Sequence, residues 1–189
     1  GAGTSGGGSF GVYASGATRV VVLPNDPDTV MVARAAAQEA GREGVRVDVV
    51  PSRTLVQGLA AMSVRDPEAD PDEAVAAMTE AVDAVRTGAL TRAERAADTP
   101  VGPVRAGQWL GLAQHRIVAV ADDLATAAAG VLDVLWRDDA EVLTLLLGAE
   151  ASADALDPVL EELAARHTGI EVVRIDGGQP TYPYLLGVE

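Results

Sequence analysis

Two short apolar runs on either side of an amphipathic segment constrain the fold of this chain more than any other feature. The runs RVVVLP, at residues 19–24, and VRVDVVP, at residues 45–51, are typical of buried β-strands. In the segment between them, an Asn-Asp pair can cap a helix, Pro27 suits its first turn and Gly41 can end it. A strand, a helix and a strand joined by short connections predict a βαβ unit with two parallel strands.

The helical pattern continues through the first half of the chain. The segment SRTLVQGLAAMS, at residues 52–63, predicts a short helix. In the segment that follows, Asp70 can cap a second helix, Pro71 falls in its first turn and Glu73 completes a capping box. We therefore expect a first α/β lobe over residues 19–87.

The pattern changes after that boundary. Residues 88–121 alternate between apolar and polar side chains and carry glycines at turn positions, which predicts short strands in antiparallel hairpins. Two amphipathic segments then alternate with the apolar runs EVLTLLLG and IEVVRID, which indicates helices and buried strands. The predicted fold is α/β with two lobes, a parallel βαβ start, antiparallel strands in the middle and a second lobe over residues 88–189.

The first 18 residues, GAGTSGGGSFGVYASGAT, are rich in glycine and serine. Such a segment buries little apolar surface, so residues 1–18 are predicted to be a flexible linker or a frayed end. A glycine-rich phosphate-binding loop is the poorer interpretation, because no strand precedes the glycines and no Gly-Lys-Ser/Thr follows them. A chain that begins in a linker is expected to be the end of a longer protein.

The composition argues against several classes of function. The net charge is −14 and every basic residue is an arginine, so the chain is expected to repel nucleic acid. The lack of cysteine excludes disulfides and thiolate metal sites. The longest apolar runs, such as residues 142–147, are too short to span a membrane, and no signal peptide pattern opens the sequence. We therefore expect a cytoplasmic protein without an integral membrane segment.

Few residues are suited to catalysis. The two histidines are His115, before a predicted strand, and His167, in the last turn of a predicted helix, where a cation suits the helix dipole. Both are interpreted as surface or capping residues rather than as general bases. The sequence has no HExxH motif, nucleophile elbow or P-loop. We therefore expect no catalytic residue, metal ion or cofactor in this chain.

Polar residues follow the two predicted parallel strands and form the first set of candidate site residues. Ligands of open α/β sheets gather at the carboxyl ends of strands, so these side chains suit a carboxylate or a phosphate. Helix capping is an equally good explanation for the same residues. The candidates are Asn25, Ser52, Arg53, Thr54 and Gln57.

The closing segment DGGQPTYPYLLGVE, residues 176–189, holds two of the chain's three tyrosines. Gly178 can adopt a positive φ, and the prolines stiffen the chain beyond it. Tyr182 and Tyr184 are expected on one side of an extended segment, and its prolines place that segment at a sheet edge. The tyrosines can cover the core of the second lobe, dock a partner, or do both. Gly178, Gln179, Tyr182 and Tyr184 are the second set of candidates.

Several segments, taken in order, resemble a known family. They are RVVVLPNDPDTVMVARAAA, VVPSRTLVQGLAAM, VRTGALTRAERAA, AGQWLGL and the closing DGGQPTYPYLLGVE. Together they look like the C-terminal region of the dihydroxyacetone-kinase-like family that includes the ATP-binding subunit of bacterial fatty acid kinase. The resemblance covers residues 19–189 and implies a DegV-like fold. It also implies that the kinase site, with its Mg-ATP, lies in a domain upstream of this chain.

For function, the resemblance implies a non-catalytic docking or regulatory domain of a bacterial fatty-acid-kinase-like subunit. The implied partners are a DegV-like protein that carries the fatty acid and the upstream kinase domain of the same chain, with a homodimer as a further alternative. The parent protein is then an ATP-dependent kinase subunit, whereas this fragment is not expected to be an enzyme. The alternative function is a lipid- or small-molecule-binding module in its own right, because DegV-like proteins hold a lipid themselves.

Overall fold

The computed structural model describes residues 17–189, which form two compact units that divide between Ala84 and Val85. The segment predicted to be a linker, residues 1–18, lies almost entirely outside the described residues. The predicted boundary after residue 87 falls inside the strand that begins at Arg86. Each unit has its own sheet and its own buried core.

In the first unit, a helix connects two parallel strands. Strands β1 (Arg19–Val22) and β2 (Arg46–Val49) pair in parallel, and helix α1 (Pro27–Arg42) connects them. The Asp26 side chain caps this helix by accepting a hydrogen bond, at 3.0 Å, from the backbone N–H group two residues further on. The predicted parallel βαβ start is therefore confirmed.

Helices α2 (Leu55–Ser63) and α3 (Pro71–Ala84) complete the first unit. The Asp70 carboxylate accepts hydrogen bonds from two backbone N–H groups in the first turn of α3, which caps this helix. Both helices contribute to a small core next to the end of β2, so local capping and apolar burial act together here. The buried residues of that core are Val50, Ala61, Met78 and Val82.

The second unit is built on a six-stranded mixed sheet and a small hairpin, β4 (Ala97–Thr99) with β5 (Gly102–Val104). The strands of the sheet are β3 (Arg86–Arg92), β6 (Trp109–Ala113), β7 (Arg116–Ala121), β8 (Val142–Leu147), β9 (Glu171–Asp176) and β10 (Tyr184–Val188). Their order across the sheet is β7-β6-β3-β10-β8-β9, and only β8 and β9 pair in parallel among these strands. The antiparallel strands predicted in the middle of the chain are therefore confirmed.

Helices α4 (Leu124–Leu135) and α5 (Asp157–Arg166) bury the apolar side chains of this sheet. Glycines in the strands allow α4 to approach closely. A Cβ atom on Gly88 would lie 2.7 Å from the Val131 side chain, and one on Gly111 would lie 2.6 Å from it. Fully buried members of the core include Leu90, Leu135, Leu143, Leu145, Leu156 and Leu186.

The closing strand β10 lies in the middle of the sheet, not at its edge. It pairs with β3 on one side and with β8 on the other, and each of its residues is buried. The prediction of an edge strand was wrong because Pro180 and Pro183 both precede the strand, so every residue that pairs keeps its backbone donor. Tyr182 has a φ of 59°, so the two tyrosines do not belong to one extended segment.

Candidate functional site

The structure brings Asn25 and Ser52 together at the carboxyl ends of β1 and β2. The Asn25 N–H group donates a hydrogen bond to the Ser52 hydroxyl at 3.1 Å, and Ser52 is completely buried. Asn25 has a φ of 58°, and its side chain lies directly against Gly58, where a Cβ atom would approach Oδ1 to 2.1 Å. Asn25 and Ser52 are therefore tightly packed, and little room is left for a ligand between them.

The polar groups of the other candidates after β2 are also used within the protein. The Thr54 hydroxyl accepts a hydrogen bond from the Gln57 N–H group at 3.2 Å, which caps α2. The Gln57 side chain accepts one from the Arg53 N–H group at 2.8 Å and donates one to the Val82 carbonyl oxygen at 3.0 Å. Of these loop residues Arg53 is exposed, so its guanidinium is the group best placed to meet a ligand or a partner.

An apolar helix face lies beside these loops. Leu55, Leu59 and Met62 are spaced on one side of α2, and they are exposed by 39%, 37% and 52% respectively. Large apolar side chains grouped in this way often mark an interaction surface. The residues that follow the second strand therefore combine an internal capping function with an exposed apolar face.

The tail forms part of a groove in the second unit. The groove has a volume of about 730 Å³ and is lined by residues 180–184, by the end of β3 with the start of β6, and by the connections that precede α4 and α5. We call this cleft the tail groove. Its walls contain aromatic rings, two prolines and several carboxylates, so it combines apolar and acidic surface.

Backbone contacts hold the tail in place along the end of β8. Gly178 adopts a φ of 63°, and its N–H group donates to the Leu147 carbonyl oxygen at 3.0 Å. The Gln179 side chain donates to the carbonyl oxygens of Leu146 and Tyr182, at 3.3 and 3.2 Å. These two candidates therefore shape the segment that forms the wall of the groove.

The structure separates the two tyrosines of the tail. Tyr184 is 3% exposed, its hydroxyl group bonds to the main chain of Ser152, and its ring centroid lies 6.3 Å from that of Trp109. Tyr182 is only partly buried and lines the groove. Tyr184 is thus part of the core, and Tyr182 is the member of the pair that remains available to a partner.

The charges around the tail groove are mostly negative. Its lining contains the carboxylates of Glu94, Asp122, Asp123 and Glu150 but only one guanidinium, that of Arg92. Asp123 accepts hydrogen bonds from the Thr126 N–H group and from the Thr126 hydroxyl. These bonds, of which the one from the N–H group has the larger effect, hold the pKa of Asp123 below the ordinary value.

Arg92 and Asp122 already have partners within the protein. The guanidinium carbon of Arg92 lies 4.4 Å from the centroid of the Trp109 ring, and this side chain also donates to the Gly107 carbonyl oxygen at 2.8 Å. Asp122 accepts hydrogen bonds from Arg105 at 3.0 Å and from Gln108 at 2.8 Å. The one cation of the lining is therefore already engaged with an aromatic ring.

Neither histidine lies in the lining of this groove. His115 has a φ of 64° in the turn between β6 and β7, and His167 follows the last turn of α5, with its ring centroid 5.0 Å from that of Trp136. Over residues 17–189, no group of three or more acidic or histidine side chains could hold a metal ion. No helix in the same range is long and apolar enough to cross a membrane.

Several groove residues were not among the candidates identified from sequence. They include Arg92, Glu94, Trp109 and Glu150, which belong to distant parts of the chain. The one available signal was Trp109, which is one of only two tryptophans and lies in the segment AGQWLGL. No sequence pattern indicated that Trp109 lies beside the tail.

Comparison with known proteins identifies the family. A model of the FakA-like C-terminal family, in which FakA denotes a component of fatty acid kinase, matches residues 10–189. Uncharacterized proteins of Staphylococcus haemolyticus and Staphylococcus aureus are each 30% identical over 171 residues, which is 90% of this chain. The chain spans only 30% and 31% of these two relatives.

Solved structures with similar folds have low sequence identity. The dihydroxyacetone kinase from C. freundii has a TM-score of 0.68 at 12% identity, and the match covers 97% of this chain and 41% of the kinase chain. A fatty-acid-binding DegV-family protein from Thermus thermophilus has a TM-score of 0.59 at 16% identity, over 97% of this chain and 75% of that protein. These neighbours confirm the predicted DegV-like fold, and the match of the family model shows that the chain belongs to the FakA-like C-terminal family of fatty acid kinase proteins.

Proposed function

We propose that this chain is a non-catalytic docking or regulatory domain of a cytoplasmic, bacterial fatty-acid-kinase-like subunit. Its partner in this proposal is a DegV-like protein that carries a fatty acid, and phosphoryl transfer from Mg-ATP takes place in a domain upstream. Membership of the family supports the link to such a kinase. The relatives are about three times as long as the matched region, which is compatible with further domains in the same protein.

The tail groove is the observation that carries the docking proposal. Tyr182 lies on its wall, partly exposed, in a segment fixed by Gln179 and by two prolines. Tyrosine presents a large apolar ring with a polar tip at a low entropic cost, and tyrosines are enriched at protein interfaces. A fixed aromatic wall of this kind suits a loop or an extended segment of a partner better than it suits a chemical reaction.

The first unit supplies a second surface that supports the same proposal. The exposed face of Leu55, Leu59 and Met62 on α2 presents apolar side chains that a protein partner could bury. Arg53 lies just before this helix and can contribute a charge at its rim. Binding at either surface requires no catalytic group of this chain.

The alternative is a lipid-binding module, and the packing around Ser52 weighs against it. Ser52 is completely buried, and the Asn25 side chain lies against Gly58 without space for even one more carbon atom. The small core beside them is filled by Val50, Ala61, Met78 and Val82. Native mass spectrometry of the chain mixed with oleate tests this alternative, which a stable one-to-one adduct would support.

Capture of a lipid-loaded DegV-like protein by the immobilised chain tests docking. We expect Tyr182→Ala to weaken capture about tenfold, because a well-packed interface aromatic is worth more than about 1 kcal/mol. The same substitution is expected to leave the melting temperature nearly unchanged. Val101→Ala is the matched control, since Val101 is 48% exposed and lies outside the groove lining. Unchanged capture by Tyr182→Ala would rule out docking at the tail groove.

A further inference from the structure

We infer that the tail groove accepts an extended, arginine-bearing segment of a protein partner. This inference names the chemistry of the partner and rests on the proposed docking function for the assignment of the groove as an interface. It follows from two properties of the groove, its unpaired carboxylates and its aromatic wall, and from the net charge of the whole chain.

Two carboxylates of the lining have no partner of their own. Glu94 and Glu150 are exposed, and neither makes a hydrogen bond or an ion pair with the residues that the structure describes. The other two are engaged, since Asp122 binds Arg105 and Asp123 caps α4. The free negative charge of the groove is therefore concentrated on Glu94 and Glu150, which a cationic ligand can pair.

The aromatic wall favours arginine over lysine as that cation. A guanidinium is planar, stacks on aromatic rings and can form two parallel hydrogen bonds with one carboxylate, whereas an ammonium group acts as a point charge. The groove already contains one such contact, because the Arg92 guanidinium lies over the Trp109 ring. Tyr182, next to Pro183, offers a further partly exposed ring in the lining that holds the free carboxylates.

The overall charge limits the kind of partner. With a net charge of −14, a second copy of this chain would bring mostly like charge to the groove, and nucleic acid or an anionic membrane surface would be repelled as well. A basic segment of a different protein gains long-range attraction from the same charge. The occupant is therefore a cationic stretch of protein.

Fluorescence anisotropy with designed peptides provides the test. The probes are fluorescein-labelled peptides of four Arg-Pro, four Lys-Pro or four Glu-Pro repeats, which share an extended backbone and differ in charge. We expect the Arg-Pro peptide to bind the full chain most tightly, the Lys-Pro peptide less tightly and the Glu-Pro peptide not measurably. Binding is expected to weaken between about 0.02 and 0.15 M salt, because rim charges are screened.

Paired charge-neutral variants locate the binding site. The double substitution Glu94→Gln with Glu150→Gln is expected to weaken binding of the Arg-Pro peptide by about fivefold or more, as expected for the loss of two partly exposed ion pairs. The control is Glu43→Gln with Glu68→Gln, which makes the same change in net charge at exposed positions of the first unit. The control is expected to change the affinity by less than about twofold.

The outcomes distinguish this inference from the docking proposal. Equal binding of the Arg-Pro and Glu-Pro peptides, or an equal loss in the control pair, would overturn the inference of a basic segment. If capture of the DegV-like protein still depends on Tyr182 in that case, the docking proposal holds, but the partner segment that enters the groove is not basic. If the Arg-Pro peptide binds through Glu94 and Glu150 but no DegV-like protein is captured, the groove chemistry stands and the proposed partner is wrong.

Discussion

The hydroxyl group of Tyr184 bonds to both main-chain groups of Ser152. It accepts a hydrogen bond from the Ser152 N–H group at 3.0 Å and donates one to the Ser152 carbonyl oxygen at 3.1 Å. The residues are 32 positions apart, so this one side chain ties the closing strand to the connection between β8 and α5. The same connection lines the tail groove, and Tyr184 therefore supports the groove from within the core.

Removal of that hydroxyl is expected to destabilise the second unit. Tyr184→Phe leaves the Ser152 N–H and carbonyl groups without their partner, and we expect the free energy of unfolding to fall by about 1–2 kcal/mol. Urea denaturation followed by circular dichroism measures this change. The control is Tyr182→Phe, whose hydroxyl makes no hydrogen bond with the described residues and should cost less than about 0.5 kcal/mol. Equal effects of the two substitutions would contradict the structural difference between the tyrosines.

A methyl group at Gly58 is expected to disrupt the first unit. In Gly58→Ala the new Cβ atom would lie 2.1 Å from Asn25 Oδ1, so the Asn25 side chain must move away from the helix, at a cost of about 1–3 kcal/mol. The matched control is Gly41→Ala in α1, where no atom lies within 4 Å of the added carbon. That control should stabilise the protein by up to about 1 kcal/mol, because alanine favours the helix. Thermal melts of both variants test whether the melting temperature falls in Gly58→Ala and rises in Gly41→Ala.

Asp72 is expected to make stability depend on pH at the acid end. Its hydrogen bonds to Arg19, at 2.6 Å, and to Arg46 hold its pKa below the ordinary value of 3.8. Ionised Asp72 therefore stabilises the fold above pH 3.8, and this contribution is lost as the pH falls through the lowered folded-state pKa. Asp72→Asn should reduce the urea midpoint at neutral pH.

The difference between Asp72→Asn and the unsubstituted chain should shrink as the pH falls below 3.8. Because Asp72 is well exposed, added salt should also reduce the difference at neutral pH. Asp83→Asn is the control, since Asp83 lies on the same helix and makes no ion pair with the described residues. A difference that is the same at neutral pH and at about pH 3 would refute the assigned role of the ionised carboxylate.

Calorimetric titration of this chain with Mg-ATP is expected to show no heat of binding. This expectation rests on the net charge of −14, which disfavours binding of a triphosphate, and on a sequence that contains no P-loop. A longer protein that includes the proposed upstream kinase domain is the positive control, where we expect Mg-ATP to bind. A micromolar dissociation constant for the chain alone would contradict the proposal that the nucleotide site lies upstream.

Local sequence signals determined the secondary structure and much of the topology. The apolar runs before Asn25 and Ser52 predicted a parallel pair of strands, and that pair forms. Asp26 caps the helix between the strands, and Thr54 caps the helix that follows them. The antiparallel strands after residue 88 followed from turn residues and alternation. Each of these features depends on residues close together in the chain, so the sequence pattern contains the necessary information.

The tertiary structure decided the place of the tail and the existence of the groove. Strand β10 lies between β3 and β8, and this position depends on pairing with residues 86–90 and 143–147, which are far from it in sequence. The tail groove likewise needs Trp109, Glu150 and Tyr182 around one cleft. Such contacts are set by how the whole sheet buries its apolar faces rather than by any local propensity. The sequence by itself therefore determined which helices and strands form. The pairing of distant strands in the sheet decided which of their residues come into contact.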